Sequence, residues 1–341
     1  MAPRTSEWKT EQKELVRVLS HLPYSLPQAI SDIIDNSIDA KSKNIIVKVN
    51  QVDNQQYVMI KDDGKGIPPD ELKKMMTFGG TRDYAPDDLG AFGVGLKSSS
   101  ISQSRNLTIF TKIEGKPMNI RRIDVDWMEE TDQYDKLLHI DSGSPVVEYI
   151  RNEGLLPGEN GTTVLLENLH RFDALREGDN SDAHTLIEIL PRTESHLAMV
   201  FHRFLENPSH PRHFKLTLEG REVTPLNPMA PHEDDPKFGT LTKNSKLTIK
   251  HENKDYKVPV KLVILPHQKR HKDRKFREYI THTVEGSWGE TEGAYLYRND
   301  RIIAFSSWFG TVNKQVTYSL RRASVEISKE LDDYFSLNPM K

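Results

Sequence analysis

Asp32–Ala40, read as DIIDNSIDA, is the stretch that decides the fold. Asp32, Asp35, Asn36 and Asp39 fall at i, i+3, i+4 and i+7, the spacing that aligns residues on one face of a helix. Ile30, Ile33, Ile34 and Ile38 take the other side and are expected to face a core. Alone, an acidic stripe is the ordinary solvated face of an amphipathic helix. Two details argue otherwise. No Lys or Arg relieves the three carboxylates, so like-charge repulsion within the stripe goes uncompensated. Asn36, at its centre, is a poor helix former that a solvated face does not call for. A nearby divalent cation answers both points, since Mg2+ takes oxygen ligands and accepts one or two protein contacts beside phosphates and waters.

Working outward, Asp62–Gly66 (DDGKG) directly follows a β-type run. An Asp/Gly turn after a strand is first of all a turn. Its glycines also let a flat ligand approach the backbone, and a buried carboxylate accepts from an exocyclic amine. Further on, Gly90–Gly95 (GAFGVG) leads into Leu96-Lys97-Ser98-Ser99-Ser100, a helix-compatible stretch. Free N–H groups and the helix dipole would meet there, a natural phosphate site, with Lys97 adding charge. The lysine spacing is not that of a Walker A loop, and no βαβ unit surrounds it as in a Rossmann loop. Gly161-Thr162-Thr163 opens a strand and by itself carries no message.

Helical patterns cover Glu11–Ser20 and Gln28–Lys41, and β-type runs cover Asn44–Val52 and Tyr57–Lys61, split by the turn Asp53-Asn54. A helix starts at Pro68-Pro69, where proline suits the first turn. Phe78–Gly95 holds five glycines and a proline, too many for regular structure over most of its length. Leu107–Lys112, Met118–Val125 and Thr162–Leu169 complete a helix-and-sheet sandwich of the α+β class. Glu177–Asp182 reads as a linker, and the helix His184–Glu206 is expected to bend or break near Pro191. Strands follow at Phe214–Leu218, Lys246–His251, Lys257–Leu265, Ala294–Phe305 and Ser319–Ile327, with a hairpin turn at Arg298-Asn299-Asp300.

The chain's 341 residues predict two domains, and 28% charged against 36% hydrophobic residues argues against bulk disorder. The absence of cysteine excludes a disulfide scaffold, a thiolate metal site and a cysteine nucleophile. No apolar run reaches the ~18 residues of a membrane helix, and the first residues lack a secretory core, so a cytoplasmic protein is expected. Residues 1–175 carry 21 Lys+Arg against 27 Asp+Glu, and residues 176–341 carry 26 against 23, which puts the positive excess in the second half.

Order and spacing turn modest motifs into a signature. The acidic helix with Asn36, a DxGxG turn about 26 residues later, a GxxGxG loop about 28 beyond that and a Gly-Thr strand resemble the GHKL ATPases. Residues Ala29–Leu169 resemble this superfamily of DNA gyrase, the ninety-kilodalton heat-shock chaperone, sensor histidine kinases and MutL. Within it, Asp32–Ala40, Gly95–Ser100 (GLKSSS) and Gly161–Leu169 (GTTVLLENL) lean toward MutL and MORC proteins.

The resemblance implies a Bergerat-type GHKL domain over residues 1–178 and a transducer-like α/β domain over 179–341. It implies ATP and Mg2+ as cofactors, with Asn36 holding the metal. Asp62 would accept the adenine amino group, and Gly64 and Gly66 would belong to the adenine turn. Thr81 would lie in the lid Phe78–Gly95; Gly90, Gly93, Val94, Gly95, Leu96 and Lys97 would wrap the phosphates, and Thr162 would support the adenine side. The general base maps to Asp32, where the family usually has glutamate. A carboxylate one methylene shorter must sit closer to the water or act through a second one, so slow hydrolysis is expected.

In the second half, Tyr295–Ile303 (YLYRNDRII) resembles a transducer strand-turn, and Glu330–Lys341 resembles the segment that sends a lysine to the γ-phosphate in related bacterial ATP-binding proteins. Lys341 is the candidate, and its place at the last residue leads to the expectation of a truncated domain; a frayed terminal lysine is the other reading. Lys269–Arg277 carries Lys269, Arg270, Lys272, Arg274, Lys275 and Arg277, either a solvated loop or a contact to a nucleic-acid backbone.

The resemblance implies an ATP-dependent homodimer acting as a DNA-associated clamp in repair, silencing or defence, within a larger protein complex and, in a eukaryote, in the nucleus. A heat-shock-90-like chaperone and a nucleotide-binding interaction module with little turnover are the alternatives. A sensor histidine kinase would need a phospho-acceptor on a dimerising helix before residue 29, where His21 stands in a short segment next to Pro23.

Overall fold

A computed structural model describes residues 12–77, 88–89, 95–134, 136–138, 144–169, 184–229 (backbone only for 184–188), 241–265, 291–310, 313, 315, 318–332 and 334–335. The chain separates into two compact units. One comprises Met1–Ser42, Ile46–Asp83 and Phe92–Asp182, the other Lys43–Ile45, Tyr84–Ala91 and Ala183–Lys341.

The first unit opens with α1 (Gln12–Ser20) and α2 (Leu26–Asp39). Helix α2 starts two residues before the expected Gln28. Ser25 precedes it as N-cap, Pro27 occupies the first turn, and the Ser25 N–H donates to Gln28 Oε1 at 3.1 Å. Strands β1 (Asn44–Val52) and β2 (Gln55–Asp62) form a hairpin whose turn residues Asp53 and Asn54 both have positive φ, 48° and 65°. After α3 (Pro69–Met76) and α4 (Gly95–Ile101) come β3 (Asn106–Lys112), β4 (Asn119–Asp124), α5 (Val125–Thr131), α6 (Pro145–Asn152) and β5 (Gly161–Glu167). The unit's strands run in the order β4-β3-β5-β2-β1.

Tyr57, Val58, Met59 and Ile60 are all buried, so β2 is covered on both faces rather than alternating in and out. Tyr57 and Met59 pack with Phe110 and Leu165 against Val146, Val147 and Ile150 of α6. Helices α5 and α6 had no counterpart in the sequence reading, yet both carry N-caps. Asp124 accepts from Trp127 N at 3.1 Å, and Ser144 accepts from Val147 N at 3.3 Å ahead of Pro145.

In the second unit α7 (His184–Val200) continues past Pro191, so of the expected bend or break there is no break at that residue. The chain leaves the helix at Phe201 (φ −105°, ψ 11°), whose buried ring packs edge-on to Phe214 before α8 (His202–Glu206) begins. The hairpin β6 (Lys215–Leu218) and β7 (Arg221–Glu222) follows. A five-stranded sheet then forms from β8 (Leu241–His251), β9 (Lys254–Ile264), β10 (Gly293–Arg298), β11 (Arg301–Ser307) and β12 (Arg321–Ile327), in the order β11-β10-β12-β9-β8. Strands β10 and β12 are parallel; the other pairings are antiparallel. One face packs Tyr295, Tyr297 and Val263 against Met199 of α7, and the other packs Val258, Leu296 and Ile303 against Leu331. The turns Glu252-Asn253 and Asn299-Asp300 again take positive φ at both residues.

Candidate functional site

Helix α2 is buried nearly all round. Asp32 and Asp35 are 6% and 3% exposed, so the acidic stripe is not a solvated face. Ile30, Ile33, Ile34 and Ile38 are buried as expected. The Tyr24 hydroxyl donates to Asp32 Oδ2 at 3.0 Å and so orients that carboxylate. Asn36 Nδ2 donates to the Asp32 carbonyl at 3.1 Å. That bond leaves the amide oxygen, the atom a hard cation takes, as the group to offer a ligand.

The end of β2 brings Asp62 under α2. Its Oδ1 accepts from the backbone N–H of Gly64 at 2.9 Å and of Thr162 at 3.2 Å, and its Oδ2 accepts from the Ser37 hydroxyl at 2.9 Å. Burial pushes the Asp62 carboxyl above the ordinary carboxylate range, while these donors and Ser42 pull the other way. No cation is among those partners, so the group is clasped by neutral donors alone.

The glycines of this corner have backbone reasons. Gly66 has φ +70°, and a Cβ there would lie 2.1 Å from the Lys112 carbonyl oxygen. Gly161 has φ +123°, and its Cβ would lie 2.2 Å from the Asp62 carbonyl oxygen. A Cβ at Gly64 would meet Ser42 Oγ at 2.7 Å. Gly161 therefore lets β5 close against β2 and deliver the Thr162 N–H to Asp62, a role its sequence position did not disclose. Thr111 stands behind, its hydroxyl 3.1 Å from that of Thr162 and accepting from Ile67 N at 2.9 Å.

Above Asp62 lies a pocket walled by Ile33, Ala40, Ile67, Met75, Leu96 and Ile109, with Asn36, Asp62 and Thr162 among its polar points beside Asp39, Lys65 and Glu71. Apolar walls around the clasped Asp62 carboxylate suit a heteroaromatic ring. Of the expected phosphate residues, Gly95 opens α4 with nothing within 4 Å of an added Cβ, and Leu96 lines the pocket. Lys97 is 2% exposed, and its Nζ donates to the carbonyls of Met75 and Thr77, both at 2.9 Å. Its ammonium is thus directed to the end of α3, and burial lowers its pKa. Thr81, Gly90, Gly93, Val94, Lys341 and the basic run with Lys269, Arg270, Lys272, Arg274, Lys275 and Arg277 lie outside the described residues.

Among the described residues no three His, Asp or Glu side chains converge to hold a metal by themselves. The Asn36 amide fits Mg2+ as a single protein ligand, with phosphates and water supplying the rest. No helix of the described residues is long and apolar enough to cross a membrane.

Comparison with known proteins bears on this geometry. Residues 24–152 match the family of histidine kinase-, DNA gyrase B- and HSP90-like ATPases. The ATPase morc-1 of Caenorhabditis elegans is 30% identical over 96 residues, 28% of this chain and 11% of that protein. MICRORCHIDIA 3 of Arabidopsis thaliana is 30% identical over 89 residues, 25% of this chain and 15% of that protein. MICRORCHIDIA 1 of the same plant is 22% identical over 165 residues, 42% of this chain and 26% of that protein. The matched stretches thus span about a quarter or less of these relatives. The α+β architecture agrees with that match, and the first part of the chain is similar to GHKL-type ATPase domains, MORC proteins among them.

Proposed function

We propose that the chain is an ATP-binding, ATP-hydrolysing switch whose nucleotide site is the pocket above Asp62. The observation that carries this reading is the Asp62 clasp, a buried carboxylate fixed by Gly64 N, Thr162 N and Ser37 Oγ at the bottom of an apolar slot. A carboxylate held only by neutral donors keeps acceptor capacity for one more, and the adenine amino group supplies it. Ile33, Ile67, Met75 and Ile109 enclose the ring and exclude water from it.

Asn36 offers its amide oxygen at the rim, where Mg2+ would offset phosphate charge. Asp32, oriented by Tyr24, is the base that positions a water for in-line attack on the γ-phosphate. Its short side chain agrees with slow turnover. Lys97 occupies the α3 carbonyls in this state and reaches phosphate only if released from them. Residues 1–178 act as the ATP-binding domain and 179–341 as a transducer-like domain, with ATP-dependent pairing of two chains. The MORC likeness and the basic run Lys269–Arg277 support a DNA-associated role.

Calorimetry and turnover with Mg2+ test the reading. Asp62→Asn should weaken ATP binding on the order of a hundredfold, because the site then faces the adenine amine with a donor. Asn36→Ala should remove the Mg2+ dependence of binding. Asp32→Ala should bind ATP and fail to turn it over, and size exclusion with a non-hydrolysable analogue should report pairing. Unchanged ATP affinity in Asp62→Asn would refute the site.

A further inference from the structure

Asp32 is held by an arm of buried hydrogen bonds that starts on a different helix. Tyr24 lies just ahead of α2 and is 2% exposed. Its hydroxyl reaches along about two turns of that helix and donates to Asp32 Oδ2 at 3.0 Å. Tyr24 precedes the N-cap Ser25, so the hydrogen-bond ladder of α2 does not fix its backbone. Gln103, just beyond the end of α4, supplies the anchor. Its Nε2 donates to the Tyr24 carbonyl at 3.1 Å and to Ser102 Oγ at 2.9 Å. Ser102 in turn donates to the Ser99 carbonyl inside α4 at 2.8 Å. Ser99, Ser102, Gln103, Tyr24 and Asp32 are all buried, so bulk water does not compete along the row.

A buried tyrosine hydroxyl needs an acceptor, and a main-chain carbonyl would serve. Here the acceptor is one oxygen of a carboxylate. The carboxylate end of an aspartate turns on a broad, roughly two-fold torsion with little setting of its own. A donor fixed on Oδ2 sets it. A side chain one methylene shorter than glutamate has no further torsion with which to correct its reach, so this setting decides whether a water is met. Misplacement by about 1 Å can cost on the order of a hundredfold in rate.

We propose that Tyr24 and Gln103 are positioning residues for hydrolysis, Gln103 fixing Tyr24 and the Tyr24 hydroxyl fixing the Asp32 carboxylate toward the attacking water. The inference rests on the reading of Asp32 as the base. In that step the water oxygen bonds to the γ-phosphorus, the bond from phosphorus to the oxygen bridging to ADP breaks with its electron pair leaving on ADP, and the water's proton passes to the carboxylate. Tyr24 and Gln103 act through Asp32 and not on ATP, so they govern turnover and leave affinity alone.

Tyr24→Phe keeps the ring and removes only the hydroxyl. In turnover assays of the full chain with ATP and Mg2+ it should lower kcat about tenfold, as expected for one hydrogen bond to a charged group. Calorimetry with a non-hydrolysable ATP analogue should show Kd within about twofold of wild type. Gln103→Leu should lower kcat by about threefold with the same unchanged Kd. In the Asp32→Ala background Tyr24→Phe should cost nothing further, and in Asp32→Glu, whose carboxylate extends past the hydroxyl, the rate should be indifferent to Tyr24→Phe. The proposal alone is overturned if Asp32→Ala abolishes turnover while Tyr24→Phe matches wild type. It is equally overturned if Tyr24→Phe weakens analogue binding as much as it lowers kcat, the mark of a merely structural role, or if it lowers the rate further in Asp32→Ala. ATP binding without wild-type turnover, or turnover untouched by Asp32→Ala, overturns the reading of the base and the proposal with it.

Discussion

Asp62 in the first unit and Arg203 in the second both anchor buried polar clusters, and they are satisfied in opposite ways. Asp62 is met by two backbone N–H groups and hydroxyls, and burial without a cation raises its pKa. Burial works against the charge of Arg203, but its bonds to Glu326 and Asp300 more than offset this and hold its pKa above the usual value. Asp300, opposed by burial yet bonded to His210 and Arg203, is correspondingly held below the usual carboxylate range. His202 and Tyr297 close the second cluster through a 3.0 Å hydrogen bond, and the Arg203 guanidinium lies 3.6 Å from the centre of the Tyr297 ring. A carboxylate clasped only by neutral donors stays able to take another donor, which is what a ligand site needs. A charge-compensated cluster has little left to offer and serves to hold strands and helix together.

The largest expected effect breaks the first cluster through its backbone. Gly66→Ala would force a positive φ on alanine and set its Cβ 2.1 Å from the Lys112 carbonyl oxygen. A loss of about 3 kcal/mol or more in urea unfolding is expected. Arg203→Met breaks the second cluster by stranding Glu326 and Asp300. Because all three side chains are partly exposed, the loss should be about 2 kcal/mol rather than the full cost of a buried charge. Adding Glu326→Leu should recover part of it, and a double-mutant cycle measures how much. Full additivity would show that the pair does not couple.

A smaller effect separates the clusters by the sign of their pH dependence. The folded pKa of Asp62 is raised, so its stabilisation is present below the unfolded value of about 3.9 and is lost as pH rises through the folded value. Burial lowers the folded pKa of His202 despite Glu206 and Asp300, with Arg203 acting in the same direction as burial. There the unfolded chain takes the proton first, and stability falls as pH drops below about 6.5. Unfolding curves from pH 8 to 4 should therefore lose the alkaline-side penalty in Asp62→Asn and the acid-side penalty in His202→Gln. Matching changes in the two variants would contradict the contrast. The smallest effect lies in the β8–β9 turn, where Glu252 has φ 46°. Glu252→Asn should stabilise by roughly 0.5 kcal/mol, since asparagine tolerates that conformation better, and a shift in thermal midpoint measures it.

Local signals were legible in proportion to how local their physics is. The hairpin turns Asp53-Asn54 and Asn299-Asp300 were readable because asparagine and aspartate favour positive φ. The isoleucine stripe of α2 was readable from its period. Pro191 was a false stop: a proline predicts a lost hydrogen bond, yet the helix runs on, and the chain turns at Phe201, whose ring is buried beside Phe204 and Phe214. Helices α5 and α6 escaped notice although Asp124 and Ser144-Pro145 announce them, because seven- and eight-residue helices give a periodic pattern little length to show itself. Lys97 was legible as a cation beside the glycine-rich loop; its two carbonyl acceptors at Met75 and Thr77 were not.

The spacing of Asp32, Asn36, Asp62 and the glycines was enough to point to the ATPase family that residues 24–152 match, because each motif is a short run whose local geometry follows from its residues. Tertiary structure alone decided the rest. Thr162 meets Asp62 across 100 positions of sequence, and Arg203 meets Glu326 across 123. Only strand pairing and helix packing bring such residues together, and burial then decides whether a carboxylate is left to bind a ligand or is tied up by an arginine.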